Sequence, residues 1–338
     1  MRIPGPERLL SGRRISRPYM EDPTLSSTPP PAPPQPPSSE FHQSLAQKIF
    51  IGPQGLRAGW RILLFLAISV AIITVCRTLV RFLLHPSRGA PGYWHFTLIG
   101  EAVLFGSVLF AAAVMGRIED RPMRVYGLPG SRAFGRNFWA GCLWGALAVS
   151  GLLLAIWAAH GFTFGEIELA APAAVRFGAL WFVAFVAVGL FEEFSTRGYL
   201  QFTLGSGIGF WPAAVLLSAA FGGVHLNNPG EGWAGALAAA LIGLWLAFTL
   251  RRTGDLWFAI GFHAMFDYGE TFAFSVPNSG ITFYGHLLHS SLHGPRWLTG
   301  GSVGPEGSVF DFILIAVLFV VFDRVYREKR FPLPQSGS

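Results

Sequence analysis

From about residue 60 onward the chain alternates long apolar stretches with short polar ones. Several stretches run for about 18 or more residues with almost no ionisable group, the length an α-helix needs to cross ~30 Å of hydrocarbon at ~1.5 Å per residue. Eight spans follow from this pattern: Ile62–Leu84, Phe96–Met115, Phe138–His160, Phe177–Phe202, Trp211–Val224, Trp233–Leu250, Leu256–Phe272 and Val309–Phe322. Membrane barrels instead show alternating segments of about ten residues, so an all-α, polytopic membrane helical bundle is predicted over residues 61–326. The first 40 residues differ in kind. Their run Pro29-Pro30-Pro31-Ala32-Pro33-Pro34-Gln35-Pro36-Pro37 cannot bury a core and predicts an extended, disordered tail. Between Phe41 and Trp60, apolar Leu45, Ile49, Phe50 and Leu56 mix with Gln47, Lys48 and Arg57, the pattern of a juxtamembrane segment lying along the bilayer. Residues 327–338 form a short polar C-terminal tail, and no internal repeat supports an inverted-repeat transporter.

Composition agrees with the pattern: 51% of the 338 residues are hydrophobic and 13% charged, against about 25% charged in soluble domains. A net charge of +6 does not point to nucleic acid, because the arginines fall between spans and in the tails rather than on one face. Arg8, Arg13, Arg14, Arg17, Lys48 and Arg57 precede the first span; Arg117, Arg121, Arg124, Arg132 and Arg136 separate the second from the third. Arg251 and Arg252 separate the sixth from the seventh, and Arg324, Arg327, Lys329 and Arg330 follow the last. Positive residues favour the cytoplasm, so both termini are expected there, in a multi-pass protein of the plasma membrane. Arg77, Arg81 and Arg88 oppose this assignment. Cys76 and Cys142 lie in apolar spans and read as packing residues. The start of the chain lacks the basic-then-apolar pattern of a cleaved signal, so the first span is expected to direct insertion.

Ionisable groups within apolar spans are costly and therefore mark function. In Gly189-Leu190-Phe191-Glu192-Glu193-Phe194-Ser195-Thr196-Arg197-Gly198, Glu193 and Arg197 are i and i+4 with the acid N-terminal, the favourable orientation for an ion pair. Glu192 points about 100° away, toward the face of Ser195, Thr196 and Tyr199, and lacks a counter-charge in its own helix. Such a carboxylate suits a general base. The bland alternative is two acids neutralised by arginines or helix ends at the interface. Phe221 precedes His225 by one turn at the end of the next span, where a lone histidine is commonly interfacial. Two spans later, His263 and Asp267 stand at i and i+4 in an apolar helix. If these helices face one another, His225, His263 and Asp267 can hold a divalent metal such as Zn²⁺ while Glu192 deprotonates its water. Asp267 is either the third ligand or the group that orients His263. His286, His289 and His293 are also spaced for a helical face, but glycine and proline interrupt that loop.

The motifs Glu192-Glu193…Arg197, Phe221…His225 and His263…Asp267, in this order on successive spans, resemble the CPBP family of intramembrane proteases, the Abi or CAAX-protease-like family that includes the type II CAAX prenyl endopeptidases. The resemblance covers roughly residues 175–270, and Leu56-Arg57-Ala58-Gly59-Trp60-Arg61 is also similar to bacterial members. Asp267 stands where many members have asparagine, and Ser195-Thr196 replaces a bulkier apolar pair. The resemblance implies endopeptidase cleavage of a membrane-associated protein or peptide, in the prenyl proteases just after a lipidated cysteine. It carries two mechanisms. In one the histidines ligate zinc; in the other, metal-free, Glu192 and His225 activate water while His263 and Asp267 stabilise the oxyanion. Two rival readings remain: a non-catalytic membrane scaffold or immunity-type protein of the same fold, and a transporter relaying protons through Glu192, Glu193 and His225. The first has no need for buried charges, and the second would show broken helices flanking a central site.

Overall fold

The computed structural model describes residues 51–52, 55–84, 93–228 and 230–331. The proline-rich tail, most of the interfacial segment and the last seven residues lie outside them. Helices account for most of what is described: α1 Ala58–Leu84, α2 Tyr93–Ile118, α3 Arg136–Ala158, α4 Ala171–Glu193, α5 Gln201–Ile208, α6 Phe210–His225, α7 Trp233–Thr253, α8 Trp257–Tyr268, α9 Arg296–Thr299 and α10 Val309–Val325. Two antiparallel strand pairs are minimal: β1 Ile51–Gly52 with β2 Gly55–Leu56, and β3 Phe162–Thr163 with β4 Ser291–Leu292.

Among the described residues five helical stretches are long and apolar enough to cross a membrane: Ala58–Leu83, Leu98–Ile118, Arg136–Ala158, Ala171–Ile208 and Trp233–Thr253. The spans expected at Trp211–Val224 and Val309–Phe322 form helices of 16 and 17 residues. The span expected at Leu256–Phe272 is a 12-residue helix continued by a π-helical segment, Gly269–Ala273. Large apolar side chains face outward, among them Leu63, Val75, Phe82, Leu143, Leu147 and Val183, each more than half exposed. So extensive an apolar exterior calls for lipid rather than water.

Inside the bundle, helices meet backbone to backbone where glycine removes the side chain. A Cβ on Gly141 would collide with the Phe258 carbonyl, and one on Gly261 with the Phe138 carbonyl, so α3 and α8 lie against each other along both glycines. A Cβ on Gly222 would strike the Ala236 carbonyl, which joins α6 to α7 in the same way. Lipid tails are as apolar as leucine, so close packing of small residues is what favours helix association in a bilayer. Gly189 extends the device to α4, whose backbone passes within about one side-chain layer of Ile260 on α8.

One end of the bundle collects arginines. Arg61 at the start of α1 pairs with Glu119 after α2. Arg132 and Asn137 reach buried Asp255 just before α8, and Arg251 and Arg252 at the end of α7 meet Asp323 in the last turn of α10 and Arg327 and Phe331 after it. Clusters far apart in sequence thus share one end.

The glycine contacts generate a test. Gly261→Val places two methyl groups against the Phe138 carbonyl and separates α3 from α8, and overpacking of this kind costs about 1–3 kcal/mol or more. The expected outcome is a thermal midpoint lowered by several degrees in detergent, whereas Gly151→Val, at a position with nothing within 4 Å, leaves it near that of the parent protein.

Candidate functional site

The helix that carries the two glutamates begins with Pro172 in its first turn, where a missing N–H costs nothing. It runs regularly to Glu193 and then loosens into a π-helical stretch, Phe194–Leu200, in which Gly198 leaves helical geometry altogether (φ −84°, ψ −109°). Single π turns interrupt helices mainly at functional positions. Here the interruption changes the angular register after Glu193. Ser195 and Thr196 donate their hydroxyls to the carbonyls of Phe191 and Glu192, each at 2.6 Å, which satisfies backbone acceptors in the loosened turn. Their place in the motif therefore has a local reason. Tyr199 is turned to another neighbourhood, donating to Glu119 and stacking on Phe65 at 4.4 Å. Tyr199, which helical spacing placed on the face of Glu192, is thus turned elsewhere, because the spacing past Glu193 is no longer α-helical.

Glu193 has no exposure. One of its oxygens, Oε1, accepts from Arg197 Nη1 at 3.0 Å and from His263 Nδ1 at 2.8 Å. Arg197, 2% exposed, lies over the Phe221 ring at 4.4 Å. A Cβ at Gly243 would collide with its guanidinium, so glycine makes the space for it. Arg197 thereby touches α6 and α7 while paired to α4. His263 Nε2 lies 3.6 Å from Glu192 Oε2 and 3.5 Å from Asp267 Oδ2. His225 sets its Nδ1 2.9 Å from the Phe221 carbonyl, an acceptor only. That bond places the proton on Nδ1 and leaves Nε2 as the lone-pair nitrogen.

Glu192, His225, His263 and Asp267 line one cavity of about 240 Å³. The 16-residue length of α6 brings His225 there, because so short a helix ends well inside a bundle whose other long helices have 21 or more residues. Trp181, Phe185, Phe221, Phe262 and Phe283 supply apolar walls. Among the described residues no three histidine, cysteine, aspartate or glutamate side chains are grouped to hold a metal ion. In the outer loop, His286 faces Glu168 at 3.2 Å, His289 lies 3.9 Å from the same carboxylate, and His293 bonds Ser291.

Residues 174–269 match the family model described as type II CAAX prenyl endopeptidase Rce1-like. That segment resembles CAAX-protease-like membrane proteins. Neither a curated protein nor a solved structure matches the chain. The matched segment spans α4 to α8 and contains every CAAX-protease-like motif residue, from Glu192 to Asp267.

The cavity also includes acids that motif spacing did not single out. Glu101 enters from α2, Glu306 from the loop before α10, and Asp311 from the first turn of α10. Glu101 and Asp311 were detectable as lone carboxylates inside the expected spans at Phe96–Met115 and Val309–Phe322. Glu306 carried no such signal, since its loop reads as solvent-facing. It accepts from the Ser279 backbone N–H at 2.6 Å and from the Ser279 hydroxyl. Burial, and then the charge of Asp267, push Glu306 up to about 8 from an ordinary 4.5, with the Ser279 N–H opposing.

The native state therefore holds a proton on Glu306 that the unfolded chain has released. The associated stability is full below about pH 4.5 and is lost as pH rises through about 8. The thermal midpoint is expected to fall between pH 5 and pH 9, and to fall less steeply in Glu306→Gln. Parallel pH profiles for the two proteins would refute the assignment.

Proposed function

We propose that the protein is an intramembrane endopeptidase that hydrolyses a peptide bond of a membrane-associated substrate, prenylated CAAX-like proteins included, with water activated by Glu192. The observation that carries this reading is one cavity in which Glu192, unpaired within its own helix, faces His225 and His263 from two other helices. Glu192 takes a proton from water as the water oxygen attacks the scissile carbonyl carbon. The lone-pair Nε2 of His225 accepts a hydrogen bond from the same water. Protonated His263, held by Glu193 and flanked by Asp267, donates from Nε2 to the oxyanion. Collapse breaks the C–N bond, and the proton on Glu192 passes to the departing amine. Glu193 and Arg197 are positioning residues. In a zinc mechanism His225, His263 and Asp267 would hold the metal, and Glu192 would deprotonate its water.

Glu192→Gln keeps the shape and cannot take the proton, so hydrolysis is expected to fall by about 10²–10⁴ with thermal stability retained. Glu193→Gln removes the acceptor shared by Arg197 and His263 and is expected to lower both activity and thermal stability, since breaking a buried pair costs about 3–5 kcal/mol. Chelator is expected to leave wild-type turnover intact; reversible loss would instead favour the zinc route. Equal behaviour of the two glutamine variants would refute the division of labour.

We further infer eight membrane passes with both termini in the cytoplasm. The shared basic end supports this, because it gathers the ends of α2, α7 and α10 and the starts of α1, α3 and α8. Reporter fusions at Arg124 and Arg252 are both expected to report cytoplasm, and an extracytoplasmic signal at either would overturn the topology.

A further inference from the structure

The cavity is acidic beyond what hydrolysis requires. Five carboxylates line it: Glu101, Glu192, Asp267, Glu306 and Asp311, and neither lysine nor arginine does among the described residues. Arg197, the nearest cation in the motifs, is spent on Glu193 and the Phe221 ring. Glu306 and Asp311 stand at the end opposite the arginine clusters, since α10 begins there and finishes at the basic end. Close beside them Glu270 is wholly buried, and neither of its oxygens has a hydrogen-bond partner among the described residues. Its charge, that of Asp311 and that of Glu306 act on one another.

A second observation points to a ligand rather than to a merely acidic wall. Asn278 is 7% exposed, lines the same cavity, and its side-chain nitrogen has no hydrogen-bond partner among the described residues. A buried amide donor left unpaired is costly. It suits a carbonyl oxygen, which an extended peptide supplies beside every side chain. An acidic wall with one free amide donor is complementary to a peptide segment that carries a cationic side chain.

We propose that Glu306 and Asp311, with Asn278 donating to the peptide backbone, form a subsite for a lysine or arginine side chain of the substrate, placed on the extracytoplasmic side of the cleaved bond. This deepens the endopeptidase reading and rests on it. Buried carboxylates crowded without lysine or arginine retain protons, as the position of Glu306 near 8 reflects. An incoming ammonium or guanidinium replaces that proton and lets the acids ionise. A substrate segment bearing a carboxylate meets neither lysine nor arginine beside Glu306 and Asp311 and is disfavoured there.

The test uses the full-length protein in nanodiscs and quenched apolar peptides through which a single lysine, norleucine or glutamate is walked one position at a time. At one position or more, kcat/KM for the lysine peptide is expected to exceed that of the norleucine peptide by about tenfold, corresponding to ~1.4 kcal/mol, and that of the glutamate peptide by more. Glu306→Gln and Asp311→Asn, each checked for an intact thermal transition, are expected to reduce this ratio to within about threefold of unity. No lysine preference at any position, or a preference equal in both folded variants and the parent, overturns the subsite. Should no peptide be cleaved, the endopeptidase reading fails separately, and fluorescence anisotropy of the same labelled peptides on Glu192→Gln decides the subsite. Lysine-selective binding that Glu306→Gln in that background abolishes supports it, while unselective or absent binding overturns it.

Discussion

Glu193 has no contact with solvent and lies in a bundle whose exterior is apolar, so its charge must be met by neighbours. Arg197 and His263 both bond to its Oε1, one from the same helix and one from α8. Removing either partner would strand a charge where solvation is poor, at a cost of several kcal/mol, which makes the three residues a unit rather than a set of contacts. Most of the site's geometry follows. Arg197 must reach Glu193 across a π turn, which takes the guanidinium over Phe221 and into the space left by Gly243. His263 is fixed by its Nδ1, and its Nε2 is thereby presented to Glu192 and Asp267.

Backbone approach makes this possible. Gly189 lets α4 come close to α8 near Ile260, one turn before His263 meets Glu193. Gly141 and Gly261 hold α8 against α3 from the other side. The motif histidine is thus clamped between two helices, the kind of support that the oxyanion role proposed for it would need.

Charge is divided along the bundle. Arginines gather at one end, where Asp255, Glu119 and Asp323 answer several of them. Carboxylates gather in the cavity and toward the other end, where Glu306 and Asp311 have no basic side chain in the cavity lining. The first arrangement is what the proposed orientation in a membrane rests on. The second gives the cavity an electrostatic preference that apolar walls of tryptophan and phenylalanine cannot supply.

The apolar runs by themselves determined that the chain is a helical membrane protein, because about 18 consecutive apolar residues have few alternatives. The i,i+4 pairing of Glu193 with Arg197 was legible for the same reason: it depends on local helical periodicity alone, and the pair forms at 3.0 Å despite the loosened turn. The spacing of His263 and Asp267 also placed them together, with 3.5 Å between Nε2 and Oδ2. Sequence failed where periodicity broke or chain separation was large. The placing of Tyr199 against Glu119 and Phe65 depended on a π turn that no local pattern announces. The contribution of Glu306 depended on a loop folding back over the cavity, and the shared acceptor for Arg197 and His263 on α4 and α8 being pressed together at Gly189. Local spacing is set by backbone geometry within one helix, whereas these contacts are decided by which helices can approach closely enough to touch.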